Sequence, residues 1–558
     1  MNNRILITSA IPYVNGVKHL GNLIGSLLPA DVHARFRRQI GDEVLFICGT
    51  DEHGTPAELG AIAAAQDIRT YCDEQHAIQA DVYDRFGLSF DHFGRSSSPQ
   101  NHALTQHFYR RLDAAGLIDE RVVRQVWSPV DQRFLPDRYV LGTCPHCGFD
   151  AARGDQCDGC GSLLDPPELI RPRSALSGDT ALKLRDSRHL FLRQSLLVER
   201  LRAWLDTRSG WPPFVVSLAK SWLTADLRDR CITRDLAWGV PVPRPGFEGK
   251  VFYVWFDAPI AYIAATQDWA ERNGGDWRSW WRGDDVHYVQ FLGKDNVPFH
   301  TVSFPATLIG SGEPWRTVDV IKGFHWLTYA GGKFSTSRRR GIFTDTALAE
   351  LPADLWRWWL IANAPETADT DFTVSRFAAD VNKDLADVFG NLVNRTLRFT
   401  AQAFDARVPV GGEPGERERA LAAEVAQRVA QVRAHHEALE FRRAAAETRA
   451  LWARANAYLQ DAAPWTALKS NPAQAAVVTR TALALIRLSA TVAWSIVPTL
   501  VGKVLAALGE NAAIPRWPTH DLLADDCAGR PIEIIGPLVT KVSDEHVERL
   551  EARFSGIG

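Results

Sequence analysis

The stretch Arg4–Leu28, RILITSAIPYVNGVKHLGNLIGSLL, decides how the rest of the chain is read. Ile5 to Ile7 form a short apolar run of strand type, and Pro12, Asn15 and Gly16 then break the chain into a loop. From His19 onward, Leu20, Leu23, Ile24, Leu27 and Leu28 recur at helical spacing. A buried strand feeding a loop and a helix start is the first βα unit of a nucleotide-binding sheet. His19-Leu20-Gly21-Asn22 falls on the first turn of that helix, where unpaired N–H groups and the positive dipole end favour phosphate oxygens. Gly21, without a Cβ, lets a flat base or ribose approach the backbone, while His19 and Asn22 can donate hydrogen bonds from the same end. The chain has no GxxxxGK[ST] loop.

With 558 residues, 46% apolar and 23% charged, the chain has the composition of a soluble globular protein of several domains. A net charge of −3 means that nucleic acid must be met by a local patch rather than by a basic whole. The N-terminus has no signal-peptide pattern. The most apolar stretch, Ala475 to Leu500, is broken by Arg480 and Arg487 and reads as a bundle helix, so no membrane partner is expected. Four of the eight cysteines, Cys48, Cys72, Cys231 and Cys527, are scattered as in a reduced cytoplasmic protein.

Glu43 to Cys48 is a second buried strand, ending in Gly49-Thr-Asp51-Glu-His53-Gly54. A carboxylate at such a strand end can hold a substrate amine or a ribose, or simply cap a helix. Between about Gly116 and Asp226 the βα rhythm is lost, and there Cys144-Pro-His-Cys147 and Cys157-Asp-Gly-Cys160 present four thiolates to one structural Zn²⁺, with His146 facing solvent. The α/β pattern returns with a strand over Lys250–Val254, leading into Trp255-Phe-Asp257-Ala258-Pro259 and a helix that carries Tyr262. Val286 to Leu292 is a further strand, ending in Gly293-Lys294-Asp295-Asn296, with His300 on the following helix. Gly331 to Gly341 (GGKFSTSRRRG) joins paired glycines, hydroxyls and cations, the makings of an anion-binding loop or of a solvated basic turn. Trp356, Trp358 and Trp359 in PADLWRWWLIA read as a packed helix face, and Phe372 to about Leu505 is helical throughout, a bundle of four or five helices.

Together these motifs resemble the methionyl-tRNA synthetase family of class I aminoacyl-tRNA synthetases over essentially the whole chain. His19-Leu20-Gly21-Asn22 matches the HIGH signature, Lys333-Phe334-Ser335-Thr336-Ser337 the KMSKS signature, and Tyr253 to Pro259 the family's Tyr-Val-Trp-x-Asp-Ala-Pro block. The cysteine knuckle lies in the connective insertion, as in the family. Gly390-Asn391-Leu-Val-Asn394-Arg395 and Ala463-Pro464-Trp465 look like its anticodon-reading segments.

The resemblance implies an α/β chain with a Rossmann-like parallel-sheet catalytic domain, split by a zinc-knuckle insertion and followed by an α-helical anticodon-binding bundle. The expected boundaries are 1–115 and 227–325 for the two catalytic halves, with 116–226 for the insertion. The signature loop and stem-contact region would take 326–371, the anticodon domain 372–510, and a tail that packs back on the body 511–558. The implied activity is ATP-dependent activation of L-methionine, then transfer to the 3′ terminal ribose of tRNA(Met), initiator tRNA included.

By the same resemblance His19, Asn22 and Lys333 are catalytic, and Gly21, Gly293, Asp295, Lys333, Ser335, Thr336 and Ser337 bind ATP with its Mg²⁺. Asp51 holds the substrate amine; Ile11, Tyr13, Trp255, Ala258, Pro259, Tyr262 and His300 form the side-chain pocket, with Tyr262 or His300 donating to sulfur. Asn391, Arg395 and Trp465 read the anticodon. A cytoplasmic monomer is expected. Two positions depart from the pattern: Asn22 replaces a histidine, and Thr336 replaces the second lysine of KMSKS. One of Arg338, Arg339 and Arg340 is expected to supply the missing charge; the alternative is a catalytically weakened paralogue that binds tRNA or regulates.

Overall fold

A computed structural model describes residues 3–554 apart from 158, 161, 163, 225, 335–339, 520–522 and 524–526. Its centre is a sheet of five parallel strands: β1 (Arg4–Ser9), β2 (Glu43–Thr50), β3 (His92–Arg95), β4 (Val286–Gly293) and β5 (Val320–Phe324), in the order β5-β4-β1-β2-β3. The chain winds outward from β1 through β2 to β3, then crosses back and continues on the other side of β1 with β4. The reversal between β1 and β4 is a topological switch point, and ligands of open α/β sheets bind in the crevice beyond the strand ends there. Ile5, Leu6 and Ile7 in β1 are fully buried because helices cover both faces of the sheet.

Two expectations about local structure are corrected. Lys250–Val254 is not one strand: only Val251–Phe252 is extended, and Val254–Asp257 is already a helical turn. The turn is stabilised by Phe256 and Ala258 N–H groups bonding back to Tyr253 and Val254, which a β-branched and aromatic run does not advertise. His19 sits one residue before the helix as its N-cap, with its Nδ1 accepting from the Asn22 N–H at 3.3 Å.

The intervening segment contains antiparallel strands, chiefly Ile118–Ser128 against Lys183–Leu192. A smaller sheet of Val140–Thr143, Ala152–Arg153 and Ile170–Ser174 carries the cysteine cluster. Beyond β5, Leu327–Tyr329 pairs with Gly332–Lys333 and with Thr370–Phe372. The C-terminal part is helical, with long helices Glu416–Glu437, Phe441–Ala462 and Pro472–Ala493. Pro472–Ala493 is apolar enough to cross a membrane, yet 94% of its most apolar window is buried by neighbouring helices. The last helix, Asp544–Phe554, returns to the body through Arg549 and Arg553, both paired with Glu350.

Helix Ala353–Ala362 joins sheet and bundle. Trp356, Trp358 and Trp359 are each 1% exposed and form its packed face. Arg357 between them has no solvent exposure, and its guanidinium donates to Asp31 (2.6 Å) and to the carbonyls of Phe86, Gly87, Ser495 and Ile496. Burial alone pushes the Asp31 carboxyl up, but Arg35 and Arg357 outweigh it and hold the group at about 2. Without Arg357 the carbonyls of Phe86, Gly87, Ser495 and Ile496 lose this donor and Asp31 keeps only Arg35 and Ser89, and removing one side of a buried ion pair costs about 3–5 kcal/mol. Arg357→Met should therefore lower unfolding free energy by about that amount in urea titration followed by tryptophan fluorescence. Arg85→Met, which breaks the exposed Arg85–Asp81 pair, should change it by less than about 0.5 kcal/mol.

Candidate active site

A cavity of about 290 Å³ opens at the switch point. The loop after β1 supplies Ile11, Tyr13, Lys18 and His19, and the end of β2 supplies Asp51. Helical turns bring Trp255, Ala258, Pro259 and Tyr262, and the turn after β4 brings Asp295 and His300. Asn22 also lines it. Two walls are π-helical, Leu23–Leu27 and Phe299–Ser303, each with one wide turn that turns Ser26 and Leu27, or Phe299 and His300, toward the cavity.

One end of the cavity is acidic. The loops after β1 and β2 run side by side, joined by Val14 N–H to the Asp51 carbonyl and Asp51 N–H to the Pro12 carbonyl. Asp51 is 4% exposed, and its Oδ1 has no hydrogen-bond partner among the described residues. Burial, with Asp257 and Glu52 nearby, pushes its carboxyl well above the usual range. The surroundings are rigid: Glu52 is held by Arg95 (2.8 Å) and Thr50 (2.6 Å), and His53 bonds Asp257 at 2.6 Å. A cation arriving at Asp51 would offset a charge that the fold leaves without a counterion.

The apolar wall is aromatic. Trp255 donates its indole N–H to the Tyr13 hydroxyl at 2.9 Å and packs on Phe299, with ring centroids 4.3 Å apart. His300 uses Nδ1 on the Asn296 carbonyl (3.0 Å), so Nε2 is bare and takes the Tyr262 O–H (3.0 Å). Burial lowers His300 to about 4 and keeps it neutral. Both donors are thus engaged, which corrects the expectation that one of them is available to a sulfur atom. The wall offers shape and polarizable contact instead.

His19 lines the cavity where the two signature segments meet. The His19 ring stacks on Phe334, with centroids 4.7 Å apart. Leu20 N–H bonds the Ile342 carbonyl, and Thr344 bonds the Lys18 carbonyl through N–H and hydroxyl, both at 2.8 Å. Because His19 Nδ1 accepts from the backbone, its proton belongs on Nε2; burial and Lys18 lower the imidazole to about 3. A Cβ on Gly21 would lie 3.0 Å from His19 Nδ1, so the histidine ring occupies the space against that glycine. Gly293 makes similar room for the Asp295 carboxylate, 2.8 Å from where its Cβ would stand.

Lys333 does not line the cavity. Its ammonium bonds the Gly159 carbonyl of the cysteine knuckle at 3.2 Å and lies 4.3 Å from the Trp326 ring centre. Ser335, Thr336, Ser337, Arg338 and Arg339 lie outside the described residues. Arg340 braces its own hairpin through the carbonyls of Tyr329 and Ala330. Lys18, Arg138 and Gln156 also line the cavity, and sequence reading missed all three. The last two come from the insertion, more than a hundred positions away in the chain.

The four thiols Cys144, Cys147, Cys157 and Cys160 have their sulfur atoms within 4.8 Å of one another. Cys144–Cys160 and Cys147–Cys157 are 3.9 and 3.6 Å apart, against about 3.8 Å for a tetrahedron with Zn–S bonds of about 2.3 Å. His146 and Gly159 N–H groups point at Cys144 and Cys157 sulfur, as thiolates require. The donor set fits zinc. In the bundle, Asn391 and Arg395 stand one helical turn apart, with the Arg395 guanidinium 5.1 Å from the Trp465 ring centre.

The family described as tRNA synthetases class I (M) matches residues 5–397, and that of the anticodon binding domain of methionyl tRNA ligase matches 408–558. The methionine–tRNA ligase of Caulobacter vibrioides (strain NA1000 / CB15N) is 57% identical over 566 residues, 99% of each chain. That of Ruegeria pomeroyi is 54% identical over 570 residues, again 99% of each. The solved structure of Mycobacterium tuberculosis methionyl-tRNA synthetase in complex with methionyl-adenylate superposes with a TM-score of 0.78 at 26% identity, covering 96% of this chain and 99% of that one.

A carboxyl that keeps its proton more tightly when folded subtracts stability as pH rises above the ordinary value of about 3.9. Asp51 does so. Asp51→Asn should melt with the parent protein near pH 3 and at a higher temperature at pH 7, measured by thermal unfolding across that range.

Proposed function

Since the chain belongs to the methionyl-tRNA ligase family of class I tRNA synthetases, we propose that its switch-point cavity is where methionine is activated, and assign the residues as follows. The observation that carries the assignment is the unpartnered Asp51 oxygen at one end of an aromatic cavity whose other end holds His19. The amino acid enters with its ammonium on Asp51 and its thioether among Ile11, Tyr13, Trp255, Ala258, Pro259, Tyr262 and His300. Its carboxylate then lies toward His19.

That carboxylate is already ionised, so the step needs alignment and positive charge rather than a base. A carboxylate oxygen forms a bond to the α-phosphorus of ATP as the bond to pyrophosphate breaks; no proton moves. The His19 Nε2–H faces the phosphate end as a neutral donor. Asn22 and the backbone at Gly21 extend this cradle, and Gly293 and Asp295 take the ribose. Mg²⁺ would arrive with the nucleotide and supply charge to its phosphates. Lys333 must leave the Gly159 carbonyl to reach them; Ser335, Thr336 and Ser337 are assigned to the same phosphates. The 3′ terminal ribose hydroxyl of tRNA(Met) then attacks the methionyl carbonyl of the adenylate: the ester bond forms, the bond to the phosphate breaks, the hydroxyl proton passes to the departing phosphate and AMP leaves. The anticodon of that tRNA meets Asn391, Arg395 and Trp465, and initiator tRNA is included in this reading. One Zn²⁺ on the four cysteines holds the knuckle against which Lys333 rests.

ATP–pyrophosphate exchange should depend on L-methionine and not on leucine or isoleucine. Lys333→Ala should lower its kcat about a hundredfold or more, as loss of one transition-state donor does, with little change in KM for methionine. Purified protein should contain one zinc per chain by elemental analysis. Cys157→Ser should lose the metal and slow exchange, with normal binding of methionine, since Asp51 and the aromatic wall lie on other elements. Arg338→Ala and Arg339→Ala, tested in the same assay, locate any loop cation that replaces the missing lysine at position 336; Arg340→Ala should act only through the hairpin.

A further inference from the structure

Two cations line the cavity that neither the signature motifs nor the assignments above use, Lys18 and Arg138; Arg138 is paired with Asp155, whereas Lys18 is in no ion pair among the described residues. Lys18 is 6% exposed, and its ammonium has a single hydrogen bond, to the Asn15 side-chain oxygen at 2.7 Å. No carboxylate among the described residues lies within ion-pair distance of it. The contrast with Lys322 is direct: that lysine is 8% exposed and pairs with Glu366 at 2.7 Å. Buried ammonium groups without an anion are costly, so an unpaired one in a cavity wall is a vacancy for negative charge.

The neighbours sharpen this. The Arg138 guanidinium, fastened to Asp155 at 2.7 Å, is close enough to repel Lys18, and Asp51 is the negative group that acts on it. Burial first, and Arg138 second, lower the ammonium to about 7. Its backbone is fixed, since the Lys18 carbonyl takes both bonds from Thr344. Lys18 thus stands between the acidic end, where the amine would sit, and His19, where phosphate would sit. Between those points the reaction places the carboxylate and the α-phosphate.

We propose that Lys18 is a further catalytic cation of this chain, contacting the oxygen atoms of the α-phosphate as the amino-acid carboxylate joins it. The proposal rests on the cavity assignment above. Negative charge grows on those oxygens while the carboxylate–phosphorus bond forms and pyrophosphate departs; a phosphate beside Lys18 opposes the lowering by burial and Arg138 and favours the ammonium, so no proton is transferred from it in the step. Lys18 places inside the cavity a positive charge in place of the one that the signature loop lacks at Thr336.

The test uses the full-length protein, Lys18→Met and Lys18→Arg, in ATP–pyrophosphate exchange. It also measures equilibrium binding of two unreactive ligands: methioninol, which has the amine and thioether, and methioninol adenylate, which adds the phosphate. Lys18→Met should bind methioninol as the parent does, bind methioninol adenylate at least tenfold more weakly, and lose about a hundredfold in exchange kcat. Lys18→Arg, which keeps the charge, should recover part of both losses. Exchange by Lys18→Met within threefold of the parent overturns the proposal. So does equal weakening of the two ligands, which would mark a structural role, and Lys18→Gln with its retained polar tip answers the question if Lys18→Met is poorly folded. A parent protein without methionine-dependent exchange would instead overturn the cavity assignment itself.

Discussion

The guanidinium of Arg357 is the constraint on which the arrangement of this molecule depends. It is wholly enclosed, and it binds one carboxylate and four carbonyls drawn from the sheet region and from the end of the apolar bundle helix. Ionised groups tolerate such burial only when their hydrogen-bonding capacity is met, and here the partners come from three separate stretches of chain, at Asp31, at Phe86 and Gly87, and at Ser495 and Ile496. Sheet and bundle are therefore held in one relative orientation by directional bonds, in addition to the tryptophan packing around them. The orientation fixes where the end of the sheet, and so the cavity, stands with respect to Asn391, Arg395 and Trp465.

The cavity itself is built on electrostatic incompleteness. Among the described residues neither Asp51 nor Lys18 is in an ion pair; both line the cavity, and each acts on the other only through space. A zwitterionic amino acid together with a phosphate anion would satisfy both. The fold gives up stability at these two points, and the cost is carried by the hydrogen bonds that lock Glu52, His53 and Asp257 behind Asp51.

Much of this was legible in the residues. The strand–loop–helix at the N-terminus, the paired CxxC motifs and the ordered series of motifs led to a Rossmann-like sheet, a knuckle in an insertion and a helical bundle, which the structure bears out. The stacking of His19 on Phe334 brings together segments more than three hundred positions apart. Lys18, Arg138, Gln156 and Arg357 were not legible, for a common reason: a lone polar side chain reads as surface, and only tertiary contacts reveal where it is placed. The helical turn at Val254–Asp257 was hidden by residues of strand type. The engagement of Tyr262 with His300 depends on a carbonyl four residues from the histidine, which fixes the tautomer and has no side-chain signature.

The wide turns at Leu23–Leu27 and Phe299–Ser303 close their rings through bonds from Leu28 to Leu23 and from Phe304 to Phe299. Each therefore contains one residue beyond what an ordinary helix would use. Deleting that residue would restore regular winding, leave the flanking turns in register and remove the local widening that turns Ser26 and Leu27, or Phe299 and His300, toward the cavity. The binding chamber is in that sense written as two surplus residues in otherwise regular helices. Descendants of this chain could lose the chamber by a single in-frame codon loss while the architecture around it survived.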